Sequence, residues 1–411
     1  MQSLARALIL LGICAVHSHG AAAQSAAADT AQRWQAIVDA SAQYYSWSNS
    51  TGNRGSQIYA PAAVKFIGRP VTDWKAEFLV RSGYIRSQQS TSTSASASES
   101  MTDTALATTW TYYGWNGVQP FVALNVNVPT AHWSAGATSN ATLPTNKADS
   151  DIVKPVLGEG WNVGPSVGAN FALTPALIVS AGFGYTYRGP FTGTTTTGVN
   201  SVGPASFNPG DVYTINTGLG WSGDTDIVQL SLAYSKETIS YQDSAPLYRA
   251  GGRIIANLKA GHSWDDNWST RGAFTFSHFG KNDVAMAGLP DLAHEVFNSN
   301  SNLYSATLEQ VFSKDNYSIG PSVTYLYRDR NGYDPTTFQF IPAKTSWAAG
   351  LGAKAALRDN IKVSAKVEHI WVHEGDNPDK LILLNTILPG SGVPAAITRA
   401  WSVSVGASKT L

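Results

Sequence analysis

Charged side chains recur at alternate positions in segments that otherwise carry few charges. Lys75, Arg81, Arg253, Lys259, Arg271, Lys354, Lys362 and Lys366 share this placement, and Glu77, Glu237, Glu309 and Glu368 are their acidic counterparts. Spread over many segments, such a set does not converge on one reacting atom. It suits a wall along which ions are drawn or repelled, since a pore selects by shape and by the charges lining it. A second group, Asp149, Asp151 and Glu159, lies beside Lys147 and Lys154 in an unpatterned stretch over residues 129–161. Folded inward, those acids would face the basic set and create a transverse field. An excess of lumenal cations predicts a mild preference for anions.

Catalytic signatures are weaker. Gly164-Pro165-Ser166-Val167-Gly168 fits the spacing of a serine nucleophile elbow, but that motif needs a strand, a sharp turn and a helix. Here it falls inside an alternating segment, and Gly-Pro-Ser-Val recurs at Gly320 to Val323. His369 and His373 are four apart. On a strand that is about 13 Å, too far to share a metal ion with bonds of about 2 Å. His262 and His278 are expected on the outward face, with no partner identifiable. No enzyme activity, cofactor or metal is expected.

The elements that carry these residues are strands. In Phe121 to Val128, Val122, Leu124, Val126 and Val128 fall on one face and Phe121, Ala123, Asn125 and Asn127 on the other, the period of two of a strand with one apolar and one polar side. The pattern continues to the last residue. Strands are expected, among others, over Leu177 to Arg188, Ile227 to Tyr241, Trp268 to Phe279 and Tyr317 to Arg328. In the second of these Val228, Leu230, Leu232 and Tyr234 alternate with Gln229, Ser231, Ala233 and Ser235, and near the end Trp401, Val403 and Val405 alternate with Ser402, Ser404 and Gly406. Seven tight turns rich in Gly, Asn, Asp and Pro alternate with longer loops. The expectation is an all-β fold, a transmembrane antiparallel up-and-down β-barrel of about sixteen strands with fourteen or twelve as alternatives, the apolar face to lipid and both termini on the short-turn side. Aromatics near strand ends, among them Trp74, Trp264, Trp268, Tyr185 and Tyr325, predict two interfacial girdles.

Composition agrees. The chain has 411 residues, 43% hydrophobic and only 14% charged, with zero formal net charge; about 25% charged is usual for a soluble domain, and nothing here points to nucleic acid. Arg6, the apolar run Ala7 to Val16 and the small residues Ala21 to Ala23 form a signal-peptide pattern over residues 1–23. The one cysteine, Cys14, lies inside it. Residues 24–40, with Trp34, Ile37 and Val38 at helical spacing, are expected to form a short periplasmic leader, and residues 41–411 the barrel. The Ser/Thr/Ala tract from Ser90 to Ser100 is expected as a flexible outer loop.

Together these features resemble a Gram-negative outer-membrane porin-type barrel. The resemblance implies passive diffusion of small hydrophilic solutes, a bacterial outer-membrane location among its lipids, and insertion by the barrel-assembly machinery, whose signal Trp401 to Leu411 is similar to but ends in Leu411 where Phe is usual. It also implies that the 129–161 loop, third on the outer side and following strand five, narrows the lumen, and it allows a homotrimer, although no residues mark a trimer interface. A second resemblance, carried by Gly117 to Phe121, is to channels associated with phenol and aromatic-hydrocarbon degradation, and implies hydrophobic or aromatic cargo.

Overall fold

The computed structural model describes residues 34–90, 95–131, 160–197, 200–286, 291–335, 337, 339–357, 360–376, 382–383, 386–387 and 395–411. None of these residues is helical. Sixteen antiparallel strands close into a barrel. In order they are Trp34–Asn49, Arg54–Val71, Trp74–Ser90, a fourth strand in two collinear pieces (Ala95–Met101 and Thr104–Tyr112), Val118–Val128, Asn162–Thr174, Leu177–Arg188 and Val212–Ser222. The second half continues with Asp226–Glu237, Arg253–Ser263, Trp268–Phe279, Leu303–Lys314, Tyr317–Arg328, Lys344–Ala356, Ile361–Glu374 and Ala396–Thr410. Each pairs with the next, and the last pairs with the first from Ile37↔Thr410 to Asn49↔Thr398. Closure leaves no free sheet edge, so each strand's backbone faces a neighbouring strand on both sides.

The short turns are built by side chains that accept from their own backbone. Asp265 Oδ1 accepts from Asn267 N (2.7 Å) and Trp268 N (2.8 Å). Asp315 and Asn360 take positive φ of 49° and 59°, a conformation that Asp and Asn tolerate better than other non-glycine residues.

Three expectations are corrected. The first strand starts at Trp34, so residues 34–40 belong to the barrel and not to a helical leader; residues 24–33 and the signal-peptide segment lie outside the described residues. The spacing of Trp34 and Val38 satisfies a period of two as well as one of 3.6. The partner strands decide between them, with Ala36 N donating to Leu411 O and Leu411 N to Ala36 O. The Ser/Thr/Ala tract is not simply a loop, because Ala95–Met101 pairs with Tyr84–Ser90, and Tyr84 OH donates to Glu99 Oε2 at 2.9 Å. Finally, the ninth strand stops at Glu237, short of the Tyr241 that alternation suggests. Ser240–Gln242 instead joins a separate sheet with Phe191–Thr197, Asn200–Asn208, Ala245–Arg249, Asp283–Val284 and Ala293–His294, drawn from three successive long loops.

The outward face is apolar and exposed: Leu230, Leu232 and Val405 are 46%, 48% and 52% accessible. Outward charges in the strands sit at the ends, with Arg54, Arg86, Glu99, Lys236 and Arg399 toward the long loops and Asp226, Lys314 and Lys409 toward the short turns. Aromatic pairs mark both rims. Trp74–Tyr112 and Trp268–Phe312 lie on the short-turn side, and Tyr325–Trp347 and Tyr185–Tyr213 on the long-loop side. An apolar band bounded by two aromatic rims is the surface of a barrel that spans a bilayer.

Candidate functional site: the lumenal wall

Directly opposed residues on neighbouring strands share a face, so the register carries the inner face around the barrel. Following it places Lys75, Glu77, Arg81, Arg253, Lys259, Arg271, Lys354, Lys362, Lys366 and Glu368 all on the face opposite Leu230 and Val405. Lys65, Arg188, Arg328 and Lys344 join them, as do Asp39, Glu237, Glu309 and Glu374. Among the described residues, the paired register thus places twelve cations inward (Lys65, Lys75, Arg81, Arg188, Arg253, Lys259, Arg271, Arg328, Lys344, Lys354, Lys362, Lys366) against six carboxylates (Asp39, Glu77, Glu237, Glu309, Glu368, Glu374). Between them the wall is mostly Ser, Thr, Asn, Gln and Gly.

These charges divide into held and unheld groups. Glu77 is held between Lys65 Nζ (2.5 Å) and Lys75 Nζ (2.7 Å). Lys366 pairs with Glu368 at 2.7 Å, two residues along the same strand face. Toward the long loops, buried Arg188 reaches Glu237 at 3.2 Å, and buried Arg328 reaches Glu374 at 3.3 Å beside buried Lys344. Arg253 lies over the Phe279 ring at 4.5 Å and donates to Ser277 Oγ at 3.2 Å. Arg81, Lys259, Arg271, Lys354 and Lys362 form no ion pair with a described carboxylate. Among the described residues Asp39 and Glu309 are likewise outside any ion pair, Glu309 directly opposite Arg271, so the unpaired wall charges are these five cations and Arg253 against two carboxylates.

Lys65, Arg188 and Arg328 sit in segments whose alternation is clear in the sequence, and continuing the inward parity to the segment ends would have included them. Lys344 and Glu374 lie beyond the apolar runs that mark the neighbouring strands, and only the pairing Lys344↔Glu374 brings them into the wall. Asp39 was hidden by the helical spacing of the leader.

Two parts of the wall are not polar. On the long-loop side Tyr45, Trp47, Ile370, Val372 and Ala400 form a buried inward cluster, with Trp47 lying over Gly55, where an added Cβ would come within 2.6 Å of its Nε1. Across the barrel the Phe121 ring covers Gly168 and Gly182; a Cβ on Gly168 would lie 2.5 Å from Phe121 Cζ and 2.5 Å from Ala181 O.

Asp149, Asp151 and Glu159 lie outside the described residues, but the root of their loop is well defined. The fourth strand breaks at Thr102 and Asp103, both buried. Asp103 Oδ1 accepts from Ala131 N (3.0 Å), and Oδ2 accepts from Asn127 Nδ2 (2.9 Å). Asn127 Nδ2 also donates to Gly160 O at 3.5 Å. Both ends of the loop are thus tied to inward side chains. Gly160 has φ of +69°, and a Cβ there would meet Gly189 O at 2.6 Å, so the return to the wall needs glycine.

The outward histidines have partners that the sequence did not identify. His262 Nδ1 lies 2.8 Å from Asp226 Oδ1, His278 Nδ1 lies 2.6 Å from Asn302 Oδ1, and His369 packs against Trp371 and Trp401 at 4.3 and 4.4 Å. Gly164 to Gly168 and Gly320 to Val323 both lie within regular strands, without the elbow that a serine nucleophile needs. Among the described residues no group of three His, Cys, Asp or Glu could hold a metal ion.

No family model matches this sequence, and no curated protein does. Similar solved structures include a Pseudomonas aeruginosa FadL homologue (9% identity, TM-score 0.45, 92% of this chain and 90% of that one). Others are the P. putida toluene transporter TodX (10%, 0.38, 93% and 91%) and an outer membrane channel from Pseudomonas putida F1 (9%, 0.41, 61% and 90%). The barrel itself is established by the closed ladder, independently of these similarities.

Proposed function

We propose that the chain is an outer-membrane channel for passive diffusion of small hydrophilic solutes, with a preference for anions. The observation that carries this reading is the inward face itself: a hydroxyl- and amide-rich wall with twelve cations against six carboxylates. Lumenal charges remain hydrated, whereas the same charges turned to lipid cost about 2–4 kcal/mol each near the midplane. Their one-sided placement fits a water-filled interior. The exported precursor, the outer-membrane location, insertion through the barrel-assembly machinery by way of the last strand, and any trimer belong to the same proposal.

The 129–161 loop is proposed as the constriction, with Asp149, Asp151 and Glu159 facing the basic wall. Support comes from its root, where inward Asp103 and Asn127 hold both ends. Cargo of hydrophobic or aromatic character is the second reading. It is favoured by the apolar stretch of the inner wall that Tyr45, Trp47, Ile370 and Val372 build on the long-loop side.

Swelling of liposomes containing the refolded protein, in isotonic solutions of sugars and amino acids of graded size, tests the first reading. Swelling rates that fall with solute size are expected. No swelling with any solute, together with uptake of an apolar fluorescent probe, would replace it with the second.

A further inference from the structure

We propose that Lys354 and Lys362 form an oxyanion-binding site on the short-turn half of the lumen, taking a carboxylate or a phosphate. The proposal deepens the channel reading above and rests on it for the route by which the anion arrives. A cavity of about 670 Å³ opens on the inner wall here, lined by both lysines. Its size is that of a small-molecule site.

The register explains both the hollow and its chemistry. Lys354 lies directly opposite Ser318 on one side and Ser364 on the other. Lys362 lies opposite Ser408 and two residues from Ser364. The lysines are therefore diagonal neighbours, with Cα atoms roughly 7–8 Å apart, close enough for two flexible ammonium groups to converge on one anion. The wall around them is low, because Gly406 and the serines leave little side chain above the backbone. The result is a hollow with a hydroxyl floor and two cations at its rim. Hydroxyl donors and paired ammonium groups together suit an oxygen anion, which accepts several hydrogen bonds at once.

Among the described residues, the charged groups lining the cavity besides the two lysines are Asp39, Asp315 and Arg81, and neither carboxylate is ion-paired with Lys354 or Lys362. Asp39 is two strands from Lys362 along the row Lys362–Ser408–Asp39–Ala63–Arg81, about 10 Å at the usual strand spacing. Arg81 stands the same distance beyond it. Lys366, the next inward cation up the strand, is already held by Glu368, and Arg81, which also lines the cavity, stands on the far side of Asp39, so Lys354 and Lys362 are the diagonal pair placed to share one ligand.

The test is calorimetric titration of the refolded full-length mature protein in detergent, at low salt, with inorganic phosphate and separately with succinate. Saturable binding of at least one probe is expected. K354Q and K362Q should each weaken it at least tenfold, with K354R within threefold of the wild type and the outward variant K236Q unchanged. A phosphate-only or succinate-only response identifies which oxyanion the site prefers. Heat-shifted gel migration shows that each variant is folded. Should a variant fail to fold, protection of Lys354 and Lys362 from an amine-acylating reagent by the bound probe, mapped by peptide mass on the wild type, gives the same answer. Absence of saturable binding with both probes, or a K354Q/K362Q double variant that binds as the wild type does, overturns the site. Failure of the channel reading looks different: a barrel that binds the anion yet conducts no current keeps the site and loses the channel.

Discussion

Leu232→Lys and Ser231→Lys add the same charge one residue apart, and the structure assigns them opposite consequences. Leu232 is outward and 48% accessible, opposite Thr217 and Ala256. Ser231 is inward, opposite Gly218 and Asn257. Their strand runs from Asp226 to Glu237. At about 3.3 Å per residue and a tilt of about 40° it rises roughly 28 Å, which puts Leu232 roughly 15 Å from the short-turn end, close to the middle of an apolar band about 25 Å tall. A lysine there should cost about 2–4 kcal/mol, a factor of roughly 30 to 900 in the folding equilibrium. The inward lysine keeps its water and should cost under about 1 kcal/mol. The assay is reversible folding into lipid vesicles against guanidinium, followed by tryptophan fluorescence, with wild type, L232K and S231K side by side. Equal destabilisation by the two, or a larger effect from S231K, would refute the register and with it the assignment of lumen and lipid faces.

Other perturbations follow from the same wall. Arg188→Ala leaves Glu237, whose side chain is only 11% accessible, without its ion-pair partner; breaking a buried pair costs about 3–5 kcal/mol, read as a lower guanidinium midpoint in the same assay. Gly168→Ala forces a Cβ against Phe121 and the Ala181 carbonyl and should cost about 1–3 kcal/mol, whereas Gly220→Ala, with nothing within 4 Å of the new Cβ, should be neutral or slightly stabilising. Asp103→Ala removes acceptors for Ala131 N and for the buried Asn127 amide; the expected loss is about 1–3 kcal/mol, and bilayer recordings should show noisier open-channel current if this root holds the loop in the lumen. An unchanged current trace would count against the constriction proposal.

Most of the barrel was legible because alternation is a direct imprint of having lipid on one side and water on the other. Leu177–Arg188, Trp268–Phe279 and Tyr317–Arg328 have the ends that the sequence pattern gives, since a turn residue or a loop punctuates each of them. Legibility failed where a second force set the structure. Trp34 to Ala40 carries spacing that suits a helix or a strand equally, and the unpaired edge of the last strand decides. Ala95–Met101 has no apolar face to detect, because it pairs beyond the bilayer, where neither face meets lipid. The loop sheet joins short segments far apart in sequence, a matter of tertiary pairing that local pattern does not encode. Among lumenal charges, alternation placed Lys354 and Lys362 readily. That Glu77 is shared by two lysines while Lys354 and Lys362 are left unpaired depends on neighbours across the ladder, and only the register reveals it.

The most direct test of a water-filled, basic lumen is single-channel recording of the refolded mature protein in a planar bilayer, with reversal potentials measured across a potassium chloride gradient. The account predicts discrete, steady openings with a reversal potential displaced toward that of chloride, and a smaller displacement when Arg81, Lys259, Arg271, Lys354 and Lys362 are replaced together by glutamine. A folded barrel that stays silent, or one that opens with clear preference for potassium, would contradict it.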